Sequence, residues 1–296
     1  MKKRTAFSLF ELSIVAVIIG ILTTGVIQGS NLIKSARINS ARLLTSTSPV
    51  PQINGLVAWY ETSMRNSFLE SESYDTAQPT TWYDISPNSV NVQNSVSKRN
   101  TLTRTASSSA VYRSSGINKF PALQFYTGFG TVFSLSSLYQ GKLAQSTIFF
   151  VFRPQVVVGT TTLYLMKSYS GGTTAIGVNS NSVTLNAGTS AATGTSTNAA
   201  NISYNKDYIL AAYFNGSSSA VYVNDVTNLI GGTTINPGTD SVDGLKIGAA
   251  TIGPTDTGLS GFLSEVIIYD HPLNLRERKD IMGYLSKKYR ISVSNL

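Results

Sequence analysis

The chain has 296 residues, 42% of them hydrophobic and only 13% charged, about half the charged share of roughly 25% in an average globular protein. Its formal charge of +8 is concentrated near the N-terminus, where Lys2, Lys3 and Arg4 stand together, and Lys98, Arg99, Arg104 and Arg113 are too scattered for the gathered basic face that nucleic acid requires. The absence of cysteine and the single histidine, His271, exclude thiolate zinc sites, cysteine nucleophiles and multi-histidine metal sites.

Residues 7–27, FSLFELSIVAVIIGILTTGVI, are almost wholly apolar and lack proline. At 1.5 Å rise, about 20 such residues cross the ~30 Å hydrocarbon layer. The basic MKKR ahead of them stays in the cytoplasm and places everything after residue 28 outside, as a single-pass inner-membrane protein. A cleavable signal peptide would have a shorter apolar run and a small-residue cleavage site after it. Here polar, helix-compatible sequence follows, so one helix is expected over residues 7–44, with Ile33, Ala36, Ser40 and Leu44 on one face. Gly20, Gly25 and Gly29 suit close helix contact or are simply small residues in a membrane helix. Pro49 and Pro51 make residues 45–52 a linker. Glu11 stands out, because a carboxylate within a span costs roughly 2.5–3.5 kcal/mol and is by default functional.

The run from Lys2 through Ala6, Phe7 and Glu11 resembles the prepilin leader of type IV pilins and type II secretion pseudopilins. The resemblance implies a leader over residues 1–6, cut by a prepilin peptidase between Ala6 and Phe7, and methylation of Phe7. It implies too that Glu11 pairs with the terminal amine of a neighbouring pilin subunit, with the cytoplasmic membrane as the site of assembly. The family usually carries Gly where Ala6 stands.

From Ile53 onward short apolar runs alternate with polar, Gly-rich turns. Strand-like are Gly55–Tyr60, Pro121–Tyr126, Thr147–Phe152, Thr162–Met166, Tyr208–Phe214, Ala220–Val223, Leu245–Gly248 and Phe262–Tyr269. Asn215-Gly216 is a hairpin signal. Many strands without interleaved helices predict a β-sandwich over residues 53–296. The chain closes on a helix capped by Asn274 and Glu277, burying Ile281, Leu285 and Tyr289 and leaving Lys279, Lys287 and Lys288 wet. The segments Gly55–Trp59, Trp82–Asn88, Val151–Pro154, Val221–Asp225 and Glu265–Asp270 resemble the concanavalin A-like, laminin-G-like family. That resemblance implies an antiparallel jelly-roll sandwich that binds or scaffolds, which together with the N-terminal transmembrane helix and the C-terminal helix makes a mainly β protein.

Glycoside hydrolysis needs two carboxylates roughly 5–9.5 Å apart. Glu70, Glu72 and Asp75 lie in polar sequence that reads as a solvated loop, and Glu265 is alone on its strand as a hydrogen-bonded or edge carboxylate. No enzyme is therefore expected. Asp225, Asp240, Asp243 and Asp256 sit in turns where calcium is the one conceivable cofactor, although no ligand spacing singles them out and such acids ordinarily form turns. Trp59 and Trp82 read as core rather than as sugar platforms, and His271 as a turn residue. The expected function is a minor pilin-like or pseudopilin-like filament subunit displaying a lectin-like domain for adhesion or polymer binding, with surface polysaccharide as its partner. The alternative is a membrane-anchored carbohydrate-binding protein that does not polymerise; a polysaccharide hydrolase ranks third.

Overall fold

The computed structural model describes residues 9–87, 100–105, 110–126, 133–155, 163–169, 174–178, 182–188, 195–199, 202–230, 234–248 and 258–296. The first helix, α1, runs Leu9–Ser46 without a break. It is the one described helix long and apolar enough to cross a membrane. Its apolar half, from Leu9 through Ile27, lies exposed, as lipid-facing residues would.

Only the last turns of α1 enter the domain. The expected face of Ile33, Ala36, Ser40 and Leu44 is shifted by one position: Ala41 and Thr45 are buried, whereas Ile33, Ala36 and Ser40 are exposed. An i, i+4 pair of small residues lets α1 come close to the C-terminal helix. The segment after it is docked rather than loose, because Val50 in the short 3₁₀ turn Val50–Gln52 is fully buried and its carbonyl accepts from the Tyr269 hydroxyl at 2.9 Å.

The strands are β1 Leu56–Glu61, β2 Thr81–Trp82, β3 Leu102–Arg104, β4 Val111–Ile117, β5 Phe120–Phe125, β6 Phe133–Leu135, β7 Ser146–Pro154 and β8 Leu163–Lys167. Then come β9 Ala175–Val178, β10 Ser182–Asn186, β11 Thr195–Ala199, β12 Tyr208–Phe214, β13 Ala220–Val223, β14 Leu245–Ile247 and β15 Gly261–Tyr269. They form two sheets with antiparallel pairing of the named strands. One has the order β13-β12-β7-β15-β5-β4 with β1 also paired to β15; the other runs β11-β10-β9-β8-β14-β6-β3-β2. Residues facing inward from both sheets, among them Phe150, Phe152, Leu263, Leu165, Ile176 and Ile247, share one core. At Gly261 the backbone has φ +147 and an added Cβ would lie 2.1 Å from the Arg153 carbonyl, so only glycine lets β15 close on β7 there.

The outer face of the first sheet carries the second helix, α2, Leu275–Tyr289. Asn274 and Glu277 form the expected reciprocal capping box, and Ile281, Leu285 and Tyr289 are buried. Lys288 is not wet: it is 1% exposed. The helical spacing that put it on the solvent face missed a polar partner set waiting on the sheet beneath. Arg278 is buried as well, donating to the Val226 carbonyl at 2.8 Å and lying 3.9 Å from the Tyr222 ring centroid.

Candidate functional site

The register of β1 on β15 sets Glu61 directly opposite Glu265. Two carboxylates facing each other across a ladder repel, and both side chains here are almost wholly buried. The α2 ammonium resolves the conflict. Lys288 Nζ donates to Glu61 Oε1 at 2.7 Å, to Glu265 Oε2 at 2.8 Å and to the Tyr284 hydroxyl at 3.1 Å, which uses all three of its protons. Glu265 also accepts from Trp59 Nε1, Tyr284 and Tyr289, each at 2.8 Å. Glu61 is wrapped by the turn that follows it, accepting from the Ser63 and Met64 backbone N–H groups at 2.8 and 2.7 Å and from the Ser63 hydroxyl.

Two carboxylates against one ammonium leave surplus negative charge away from water. Burial, outweighing the pull of Lys288, raises the Glu265 carboxyl above its usual range, and neighbouring Glu61 adds to the rise. Burial likewise pushes Tyr284 and Tyr289 well above the ordinary phenol range, reinforced by Glu265. The cluster is sealed from solvent and acts as a fixed floor. Glu265 is thus the hydrogen-bonded carboxylate anticipated from sequence, although its partners were not legible there.

Above this floor lies a cleft of about 450 Å³ lined by Arg42, Ser63, Arg65, Glu70, Ser73 and Tyr112, with Thr62 and Met64 completing it. The α1 residue Arg42 is oriented by Nε donating to the Ser63 carbonyl at 2.7 Å. This bond uses one edge of the guanidinium and leaves its Nη donors without a described partner. Arg65 is exposed, and no described hydrogen bond or ion pair engages it. Tyr112 contributes a mostly buried ring whose hydroxyl stands 3.4 Å from the Thr62 carbonyl. Planar cations, hydroxyls and one aromatic face are the groups that hold a carboxylated, polyhydroxylated ligand. A larger groove of about 750 Å³ lies elsewhere, lined by Gln140, Gln145, Asn215, Thr239, Lys142 and Asp270 among others. Its single cation beside an aspartate offers no paired recognition of an anion, so the arginine cleft is the stronger candidate despite its smaller volume.

The remaining sequence candidates fall elsewhere. Ala6 and Phe7 lie outside the described residues, and Glu11 is exposed in the first turn of α1. Trp59 and Trp82 are buried, as expected of core residues. Lys98, Arg99 and Asp256 lie outside the described residues, while Arg113 donates to Gln124 and Tyr126. Among the described residues no group of three potential ligands gathers around a metal position. Against the upward push of burial, hydrogen bonds from the Asn228 and Thr227 backbone and from the Asn228 and Asn295 side chains hold the Asp225 carboxyl well below its usual range. Asp243 accepts from Ser168. Glu70 reaches the cleft, whereas Glu72 bonds the Thr80 hydroxyl at 2.7 Å and Asp75 the Ser114 hydroxyl at 2.9 Å. His271 Nδ1 lies 2.9 Å from Asp270 in the turn before α2.

Neither a family model nor a curated protein sequence matches the chain. Its shape does match solved structures. Sialidases are among them. The Trypanosoma rangeli sialidase in complex with sialic acid aligns at TM-score 0.50 and 16% identity, covering 80% of this chain and 34% of that one. A mutant of the same enzyme displaying trans-sialidase activity aligns at TM-score 0.51 and 14% identity over 88% and 39%. A structure of botulinum neurotoxin type C, whose cell entry depends on two ganglioside molecules, aligns at 0.51 and 13% over 79% and 51%. The chain therefore spans 34% to 39% of these sialidases' own length.

These matches correct several expectations. The resemblance to type IV pilins and pseudopilins fused to a laminin-G-like, concanavalin A-like jelly roll gives way to a likeness of fold to sialidase chains. A basic leader followed by an apolar helix is what any membrane anchor needs, and short alternating strands are common to many β architectures, so neither pattern was specific. With that resemblance go filament adhesion, the pilin subunits and the prepilin peptidase as partners. The expectation that the chain is no enzyme does not stand either, since solved sialidases recur among the chains that share its fold. At these identities the likeness is one of fold.

Proposed function

We propose that the chain is a membrane-anchored carbohydrate-binding protein that takes sialylated glycans, ganglioside headgroups included, in the Arg42–Arg65 cleft. The observation that carries this reading is the pairing of two guanidiniums with the Ser63 and Ser73 hydroxyls and the Tyr112 ring in one recess. A sialic acid presents one carboxylate among several hydroxyls: guanidinium forks match the carboxylate, and the Ser63 and Ser73 oxygens, whose protons go to Glu61 and to the Leu69 carbonyl, are left to accept from the sugar's hydroxyls. The fold likeness to chains crystallised with sialic acid supports the choice of sugar. On this reading α1 is the anchor and holds the domain outside the membrane.

Binding of the full chain in detergent to an array of sialylated and desialylated glycans tests the proposal. Sialosides should be retained, and the double substitution Arg42→Gln, Arg65→Gln should weaken them about tenfold or more, the loss expected of charge-assisted hydrogen bonds. Equal binding of desialylated glycans, or an unaffected double variant, would exclude this cleft.

Hydrolysis of the bound sialoside is a second reading, favoured by Tyr112 and Glu70 both lining the cleft. A tyrosine nucleophile with an acidic partner is a known exception to the two-carboxylate scheme. Burial, with Glu61 adding to it, pushes the Tyr112 phenol well above its ordinary range, which works against its ionisation. Release of free sialic acid from a sialyllactose probe, lost in Tyr112→Phe, would establish this reading over simple binding.

A further inference from the structure

Where α1 leaves its apolar stretch, a second groove opens between the helix and the β4–β5 hairpin. It has a volume of about 550 Å³ and is lined by Val26, Gly29, Ile33, Lys34, Arg37 and Lys119, together with two serines. A smaller recess of about 280 Å³ continues from it, lined by Arg37, Asn118, Lys119 and Arg290. No acid lines either space, and among the described residues none of Lys34, Arg37, Lys119 and Arg290 forms an ion pair.

Backbone geometry brings these cations together. The β4–β5 turn is built on Asn118 and Lys119, both left-handed with φ 45 and φ 67, the two-residue turn that matches strand twist. Asn118 Nδ2 then donates to the Tyr289 carbonyl at 2.9 Å, fastening the turn to the end of α2. That end is Arg290, itself left-handed at φ 56, with its guanidinium 6.0 Å from the Phe120 ring centroid. Positive φ disfavours ordinary side chains, yet two of the three left-handed residues that line the recess with Arg37 are a lysine and an arginine.

The groove is graded along the helix axis. Val26 and Ile33 line its membrane-proximal part and Arg37 its far part, so the lining changes from apolar to cationic over eleven residues, roughly 16 Å of helix. Lys34 follows Ile27 by seven residues, about 10 Å, within reach of the headgroup layer through its flexible stem. Its Nζ donates to Ser114 Oγ at 2.8 Å, the hydroxyl that also serves Asp75.

We propose that this groove holds one anionic phospholipid of the bilayer in which α1 is anchored, its acyl chain along Val26 and Ile33 and its phosphate among Arg37, Lys119 and Arg290. The inference rests on the anchoring reading above. The graded lining and its continuity with the apolar half of α1 favour a lipid over a soluble anion, because a free phosphate makes no use of Val26 and Ile33. A lipid seated there clamps the domain against the membrane surface and fixes how the arginine cleft is presented.

The test uses the full chain reconstituted in vesicles of phosphatidylcholine, alone or doped with phosphatidylglycerol. Lipids that remain bound on gentle detergent extraction are then read by native mass spectrometry. Phosphatidylglycerol should be retained about tenfold over its share in the vesicle, and Arg37→Gln, Lys119→Asn, Arg290→Asn together should reduce that enrichment to parity. Asparagine is chosen at 119 and 290 because it tolerates left-handed backbone, and an unchanged circular dichroism spectrum verifies the fold. No enrichment in the unaltered chain, or enrichment that survives the triple change, overturns the proposal. So does displacement of the lipid by inorganic phosphate, which would make this a site for free anions. Failure to insert even into pure phosphatidylcholine would instead overturn the anchor, and the lipid site with it.

Discussion

The two faces of the first sheet are packed by opposite strategies. Its inner face joins the second sheet in a core of Phe, Leu, Ile and Val side chains. Its outer face, under α1 and α2, also buries apolar residues but sets Lys288, Glu61 and Glu265 into the packing, with Arg278 nearby. Burying charge carries a large desolvation cost even when the ions pair well, so the outer layer gives up stability that an apolar replacement could supply. What the charged cluster adds is position. Lys288 and Tyr284 of α2 meet Glu265 of β15 and Glu61 of β1, and Tyr284 also stands 3.3 Å from Thr45 of α1. The turn that wraps Glu61 is the one that orients Arg42, so the buried cluster supports the arginine cleft from below.

The comparison breaks most visibly at Lys288. Lys288→Met leaves two carboxylates opposed in a sealed space and should cost about 3–5 kcal/mol of unfolding free energy. In the inner core Ile176→Val removes one methylene from a fully buried side chain and should cost about 0.5–1.5 kcal/mol. Urea titrations of both variants measure the ratio. Comparable losses would mean that the outer layer is held by its apolar contacts and that the ions are incidental.

Much of the framework was legible beforehand, because strand positions depend on local pattern. Tyr208–Phe214 and Ala220–Val223 coincide with β12 and β13, and the run from Phe262 to Tyr269 lies within β15. The strand β11, Thr195–Ala199, was missed because its Ser, Thr and Asn carry no apolar alternation, and β10, Ser182–Asn186, because Val183 and Leu185 alone are too short an apolar pattern to stand out. The cleft was illegible for a different reason. Nothing in the sequence singles out Arg42 or Glu61, and only the β1–β15 register sets Glu61 against Glu265, far away in the chain. Lys288 was misplaced because helical periodicity shows which side a residue occupies, not whether that side meets an acid. The family resemblance failed on motifs that any anchored β protein tends to carry.

Acidity sharpens the contrast. Because burial raises the Glu265 carboxyl above its ordinary value near 4.5, the folded state holds a proton there that the unfolded chain releases. The stability this contributes is fully present below about pH 4.5 and is lost as the pH rises through the raised folded value. Thermal melts across that window should show this descent in the unaltered protein and a flatter profile in Glu265→Gln, after the response of the other carboxylates is subtracted. Identical pH profiles would show that Glu265 is already ionised throughout and that Lys288 outweighs desolvation.

The smallest effect belongs to an ion pair only partly withdrawn from water. Arg153 and Asp207 join the ends of β7 and the loop before β12 by two parallel bonds of 2.6 and 2.8 Å, with side chains still 23% and 11% exposed. Its geometry is better than that of any pair Lys288 makes, since the guanidinium fork meets the carboxylate edge to edge. Solvent nonetheless reaches its edge, and neither partner is sealed from water when the pair is broken. Asp207→Asn should therefore cost only about 0.5–1 kcal/mol, discounted for exposure. Most of that difference should vanish in about 1 M salt, where the screening length falls to roughly 3 Å, while the cost of Lys288→Met should persist. Measuring both variants at low and high salt separates the value of pair geometry from that of burial. If Asp207→Asn proved as damaging as Lys288→Met, geometry rather than dryness would govern the ion pairs of this protein.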